Sequence, residues 1–156
     1  MLALRKLSTI AFAVLLALGL SPWVFAQVTP SVEVVDQDIA DGMVTVATVV
    51  SDGPGWIVIH ADADGAPGPV IGQTAVVDGD NNDVEVDIDE TMATETLYAM
   101  LHTDAGTEGT YEFPGDDVPV QVDGEVVVEA VAVTGLPVEE EPETMPETGG
   151  VRAPLG

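Results

Sequence analysis

Gly55-Trp56-Ile57-Val58-Ile59-His60-Ala61 is a near-continuous apolar run bounded by Gly53-Pro54 on one side and Asp64-Gly65 on the other. Short apolar runs between turn residues are expected of a central strand, buried on both faces. The neighbouring segments carry the same signal in other forms. Met43 to Ser51 reads M-V-T-V-A-T-V-V-S, with Val44, Val46 and Thr48 expected on one face. Val84-Glu85-Val86-Asp87-Ile88-Asp89 alternates apolar with acid, the pattern of a half-buried strand. Ser31 to Gln37, Pro69 to Asp78, Thr96 to Thr103 and Val118 to Thr134 complete the set, the last broken by a turn at Asp123-Gly124. Valine dominates these segments, and its branched Cβ favours the pleated conformation. Thr91 to Thr96 is the one stretch that reads as a single helical turn.

Asp, Gly, Asn and Pro clusters separate the segments, notably Asp41-Gly42, Asp64-Gly65-Ala66-Pro67-Gly68, Asp78-Gly79-Asp80-Asn81-Asn82 and Gly106 to Gly109. About seven short strands with regular spacing and no helical period predict an all-β fold, an immunoglobulin-like antiparallel β-sandwich. In that order the third and sixth strands are neighbours in one sheet.

The ends read differently. Residues 1–26 have a basic start at Arg5 and Lys6, an apolar stretch from Ile10 to Leu20, a break at Ser21-Pro22 and a plausible cleavage site at Val24-Phe25-Ala26. That is the three-part pattern of a cleavable signal peptide. The apolar run falls short of the roughly 20 residues of a membrane span, so an uncleaved anchor is the lesser alternative. Residues 27–135 form the expected sandwich domain. Residues 136–156, with Glu139-Glu140-Glu141 and four prolines, read as an acidic disordered tail. Within it Met145-Pro146-Glu147-Thr148-Gly149-Gly150 resembles the sortase sorting motif Leu-Pro-x-Thr-Gly, with Met in place of Leu. The apolar span and basic end of such a signal do not follow it, so the expectation is a lost or truncated anchor, or an accidental likeness.

Charge narrows the function. The chain has 28 acidic residues and three basic ones, and no cysteine. Cleavage after Ala26 leaves Arg152 as the only base against all 28 acids, a formal charge of −27. Phosphate backbones and anionic lipids are recognised through Lys and Arg, so nucleic acid and anionic membranes are excluded as partners. Cations and other envelope components remain. Enzyme classes that need a Cys nucleophile, a Schiff-base Lys, a G-x-S-x-G elbow or a phosphate loop are excluded as well. The leading expectation is a non-enzymatic, exported or cell-surface domain with no cofactor.

The alternative is a cation site. His60-Ala61-Asp62 and His102-Thr103-Asp104 end the third and sixth strands with the same phrase. Residues two apart on a strand share a face, so each phrase presents an imidazole beside a carboxylate. If both phrases reach one rim, His60, Asp62, His102 and Asp104 would suit Zn²⁺ or another divalent metal. Asp64, Asp78, Asp80 and Asn82 are oxygen donors in Asp-rich turns that would suit Ca²⁺. The bland reading is that each His caps its strand and the Asp-rich turns are simply turns.

Gly55 to His60, Leu97-Tyr98-Ala99-Met100-Leu101-His102-Thr103-Asp104, Gly109-Thr110-Tyr111-Glu112-Phe113-Pro114-Gly115 and Asp117-Val118-Pro119-Val120 together resemble a family of domains of unknown function. That family occurs in exported and surface proteins of archaea and bacteria, often with acidic stalks and C-terminal anchors. The resemblance covers roughly residues 32–134 and implies a β-sandwich on the cell surface. It brings no reaction, ligand or catalytic residue.

Carboxylates without basic partners repel one another, and salt screens that repulsion within a Debye length of about 8 Å at physiological ionic strength. The melting temperature is therefore expected to climb from about 0.1 M to about 2 M salt, and on adding millimolar Ca²⁺. A melting temperature indifferent to both would contradict this reading of the charge.

Overall fold

The computed structural model describes residues 28–39 and 41–137. The segment read as a signal peptide and residues 138–156, with the sortase-like motif, lie outside them. The described residues form ten strands: β1 (Ser31–Val34), β2 (Gln37–Asp38), β3 (Met43–Ser51), β4 (Gly55–Asp62), β5 (Pro67–Val76), β6 (Gly79–Asp87), β7 (Thr96–Thr103), β8 (Gln121–Val122), β9 (Glu125–Val126) and β10 (Val128–Thr134). A single 3₁₀ turn, Glu90–Met92, stands before β7, slightly ahead of the stretch expected to be helical.

One sheet has the order β1-β3-β6 and the other β2-β10-β7-β4-β5. All long pairings are antiparallel, and only the short β2–β10 pairing is parallel. The three-stranded sheet matches the A-B-E strands of an immunoglobulin-like sandwich, and β10-β7-β4-β5 match G-F-C-C′, with the short β2 added at the G edge. The predicted third and sixth strands are β4 and β7, adjacent and antiparallel as expected. Ten strands replace seven because two segments divide. Ser31 to Gln37 becomes β1 in one sheet and β2 in the other. Val118 to Thr134 is split by the hairpin at Asp123-Gly124, whose φ values of 54° and 88° give the turn a twist matching its strands.

The core between the sheets is aliphatic. Val44, Val46, Val49, Ile57, Ile59, Leu97, Leu101 and Val131 are at most 1% exposed. Burying each contributes about 1.5–3 kcal/mol. Thr48 was expected inside with Val44 and Val46, but Val49 takes that place. The cause is a bulge. Glu33 pairs with Thr48 and Val34 with Val46, so Ala47 has no partner in β1. One extra residue reverses the in–out parity of everything after it.

Asp78 lies in the turn, as expected, but Gly79 to Asn82, also expected to be a loop, form the start of β6, pairing Gly79 with Ser51 and Asn82 with Thr48. Asn81 makes this possible. Its Oδ1 accepts from Val77 N–H at 2.9 Å, and its Nδ2 donates to the carbonyls of Val77 at 2.8 Å and Gly79 at 3.1 Å. The side chain closes the turn locally, so pairing with β3 overrides the low strand propensity of Asp and Asn.

Strand β5 lies close to the end of β6. Asp89 N–H donates to Ile71 O at 2.8 Å. A Cβ on Gly72 would meet the Asp87 carbonyl oxygen, with Ile88 Cγ2 at 2.9 Å. Gly72 is thus required by close approach of backbone. Gly72→Ala is expected to lower unfolding free energy by about 1–3 kcal/mol in denaturant titration. Gly53→Ala, where nothing lies within 4 Å, should leave it unchanged. Equal effects of the two would refute the packing at Gly72.

Candidate functional site

Parity along β4 and β7 sorts their side chains. Ile57, Ile59, Leu97 and Leu101 point into the aliphatic core. Trp56, Val58 and His60 therefore point the other way, as do Tyr98, Met100 and His102. Register places Trp56 opposite His102, Val58 opposite Met100 and His60 opposite Tyr98. The outer face of a sandwich sheet is ordinarily wet. Here Val58 and His102 are 0% exposed, His60 4% and Met100 7%.

The cover is the segment between β7 and β8. Its backbone is gathered around one carboxylate. Asp117, 0% exposed, accepts from Ala105 N–H through Oδ1 at 2.9 Å and from Glu112 N–H through Oδ2 at 2.6 Å. Burial alone would raise its pKa. The N–H donors of Glu112, Ala105 and Gly106, with the adjacent His102, outweigh burial and hold the carboxyl below the usual range. The segment is then tied to β7. Thr103 N–H donates to Val118 O at 3.0 Å and Val120 N–H to Leu101 O at 2.8 Å. This lays Tyr111 and Phe113 over the outer face. Phe113, joined to Pro114 by a cis bond, meets His102 edge-on at 4.8 Å and His60 at 6.3 Å between ring centroids. Tyr111 lies 5.5 Å from Trp56 and 6.2 Å from His102. Burial first, then Asp117, pushes the Tyr111 hydroxyl up to about 12.

The two imidazoles meet beneath this cover, with ring centroids 5.8 Å apart and planes inclined by 26°. His60 Nδ1 lies 2.8 Å from Gly68 O, and His102 Nδ1 lies 2.9 Å from Asp117 O. A carbonyl only accepts, so each Nδ1 carries a proton, and in the neutral form of either ring Nε2 is the bare lone pair. Both Nε2 atoms are buried without a hydrogen-bond partner. The anchors pull in opposite directions. Gly68 belongs to β5, beyond β4. Asp117 precedes Val118–Val120, which flanks β7 on the side away from β4. Each ring is held by its outer edge, so the Nε2 edges turn inward toward the seam between β4 and β7.

The structure thus brings His60 and His102 together, but not their carboxylates. In antiparallel strands the two H-x-D phrases run to opposite ends, about 25 Å apart over eight residues. Asp62 accepts from Tyr98 O–H at 3.0 Å and Gly65 N–H at 3.1 Å. Asp104 accepts from Gly109 N–H at 2.8 Å through Oδ2, while its buried Oδ1 has no partner. Four donors do not converge, and among the described residues no group of three or more His, Cys, Asp or Glu side chains could hold a metal. The oxygen donors of the Asp-rich turns are also divided. Asp64 lies in the β4–β5 turn, whereas Asp78, Asp80 and Asn82 lie at the far end of β5, about 30 Å away along ten residues, all exposed. Surface depressions of 380, 310 and 410 Å³ lie elsewhere, lined by residues such as Thr29, Val126 and Ala132.

Asp117, Tyr111 and Phe113 were not singled out as site residues from the sequence. A signal was present. Of seven aromatic residues, the four beyond residue 26 are Trp56, Tyr98, Tyr111 and Phe113. All four come to this face or its cover, as do both histidines.

The domain is therefore an immunoglobulin-like sandwich with a second, sealed cluster on its outer sheet face. Residues 30–134 match the family described as a domain of unknown function, DUF7282, and the chain belongs to that family. Two relatives come from Haloarcula hispanica. Cell surface glycoprotein 1 is 34% identical over 122 residues, covering 77% of this chain and 13% of the relative. Cell surface glycoprotein 2 is 36% identical over 108 residues, covering 68% of this chain and 12% of the relative. The chain spans about an eighth of the length of these curated relatives. No solved structure matches.

Burial lowers the pKa of His102, and His60 lowers it further, against the opposing pull of the Asp117 carbonyl and carboxylate. The folded pKa lies below the unfolded value of about 6.5. Stability from the neutral ring is fully present above that value and is lost as pH falls through it toward the folded pKa. The stabilising shift of Asp117 is lost only below about pH 4, outside this window. In high salt, wild type should lose stability from about pH 7.5 to about pH 5, and His102→Asn should lose less. Parallel profiles would show that His102 is not held neutral by the fold.

Proposed function

We propose that this domain is a non-enzymatic structural or interaction module of the cell surface, stable in a salt-rich exterior. The observation that carries the reading is the likeness of its sequence to a segment of two cell surface glycoproteins from a halophilic archaeon. The charge distribution supports it. Residues 28–137 hold 23 acidic residues, the 28 of the chain less the five glutamates of the tail, and no Lys or Arg. Such a surface needs a cation atmosphere and keeps the domain soluble at high salt. Its partners are cations and other envelope components rather than nucleic acid or anionic lipid.

The outer-face cluster fits a structural role better than catalysis. General acid–base groups must reach a substrate within hydrogen-bond distance. His60 and His102 are sealed under Phe113 and Tyr111, so in this closed form they stiffen the sheet face. Brief proteolysis of intact cells in their growth salt tests the placement. Peptides from residues 28–137 are expected in the shaved fraction, along with those of known surface proteins. Recovery only from the lysed cytosol would refute an exported surface module.

A further inference from the structure

Two features of the outer-face cluster exceed what a packing role requires. Two Nε2 atoms are buried without a partner, and leaving a buried polar group unsatisfied costs about 1–3 kcal/mol. Both rings are also fixed in one tautomer by carbonyls on opposite flanks. Metal-ligating histidines are ordinarily held in this way, the ring nitrogen away from the metal donating to a carbonyl or carboxylate.

We propose that His60 Nε2 and His102 Nε2 form a buried two-nitrogen site for a soft monovalent d¹⁰ cation, Cu(I) or Ag(I). Two metal–nitrogen bonds of about 2 Å span roughly 4 Å. Inward-facing nitrogens on rings whose centroids are 5.8 Å apart meet that span. The donor set decides the metal class. Zn²⁺ takes four donors in tetrahedral array, and the carboxylates of Asp62 and Asp104 stand at opposite ends of the sheet. Ca²⁺ takes six to eight oxygens, and the residues whose rings pack on the two imidazoles offer only the unpartnered Tyr111 hydroxyl. Neutral imidazoles and the thioether of buried Met100, which stands between them in register, suit a soft ion instead. The cover favours a single charge, because a dication desolvated among Phe113, Val58 and Met100 would cost far more than a monocation. Asp117, beside His102 and already satisfied by backbone N–H groups, supplies one negative charge near it. The site is independent of the surface role.

Silver(I) is the probe, added in sodium nitrate because chloride would precipitate it. It is supplied both to the folded full chain and during refolding from urea, so that the closed cover does not limit entry. One tightly bound silver per chain is expected, with a raised melting temperature. X-ray absorption of the wild-type complex should show two nitrogen neighbours. His60→Asn and His102→Asn retain a donor near Nδ1 but lack Nε2, and each should weaken binding by more than about 100-fold, the upper range for losing even an outer-shell partner. Asp80→Asn, on the exposed surface, should bind like wild type. No uptake in either arm, as expected if a water donates to both nitrogens, overturns the assignment. So does wild-type binding by both histidine variants, or a silver ion surrounded by oxygen.

Discussion

The arrangement depends on a buried carboxylate that has no cation to pair with. Residues 28–137 contain no Lys or Arg, so Asp117 has to be satisfied by the backbone. Its two oxygens collect N–H groups from Ala105 and Glu112, converting a Gly- and Asp-rich connection into a fixed cover. Its own carbonyl then holds His102. One residue thereby couples the path of the loop, the tautomer of an imidazole and the burial of a sheet face. Breaking this arrangement would leave a desolvated charge, the costly case for any buried ion.

The domain has two cores of different chemistry. The one between the sheets is aliphatic, built from Val, Ile, Leu and Ala. The one outside β4 and β7 takes both histidines and all four aromatics beyond residue 26. A 3.3 Å rise and strict alternation place adjacent residues of the same strand in different cores. Ile57 and Ile59 belong to the first, Val58 and His60 to the second. This explains why β4 and β7 read as continuous apolar runs although they lie in an antiparallel sheet, where one face is usually polar. The acidic residues are left to the turns, the edges and the outward positions of β6, where salt can screen them.

Much of this was legible in the sequence. Period-two patterning and turn chemistry give the strands, and the apolar runs at Gly55 to Ala61 and Thr96 to Thr103 single out the two central ones. The pairing of His60 with His102 follows once these are the third and sixth strands of a sandwich. What local pattern could not give was long-range. Antiparallel direction sends Asp62 and Asp104 to opposite ends, and only the imidazoles lean back over Val58 and Met100. The parity change at Ala47 needs the bulge against β1. Asp80 and Asn82 look like loop residues until β3 supplies their partners. The role of Asp117 depends on amides up to twelve residues away, which no short motif encodes.

The central claim is that each imidazole is held in one tautomer by a carbonyl at Nδ1, so that the neutral rings turn bare Nε2 atoms toward one another under the 104–120 segment. Long-range ¹⁵N–¹H correlation of the two side chains in the folded protein above about pH 8, where an ordinary imidazole is neutral, reads this directly. The account predicts a protonated Nδ1 and an unprotonated, pyridine-type Nε2 in both His60 and His102, with slow exchange of each Nδ1 proton. A protonated Nε2 on either ring, or a pair of freely exchanging tautomers, would contradict it.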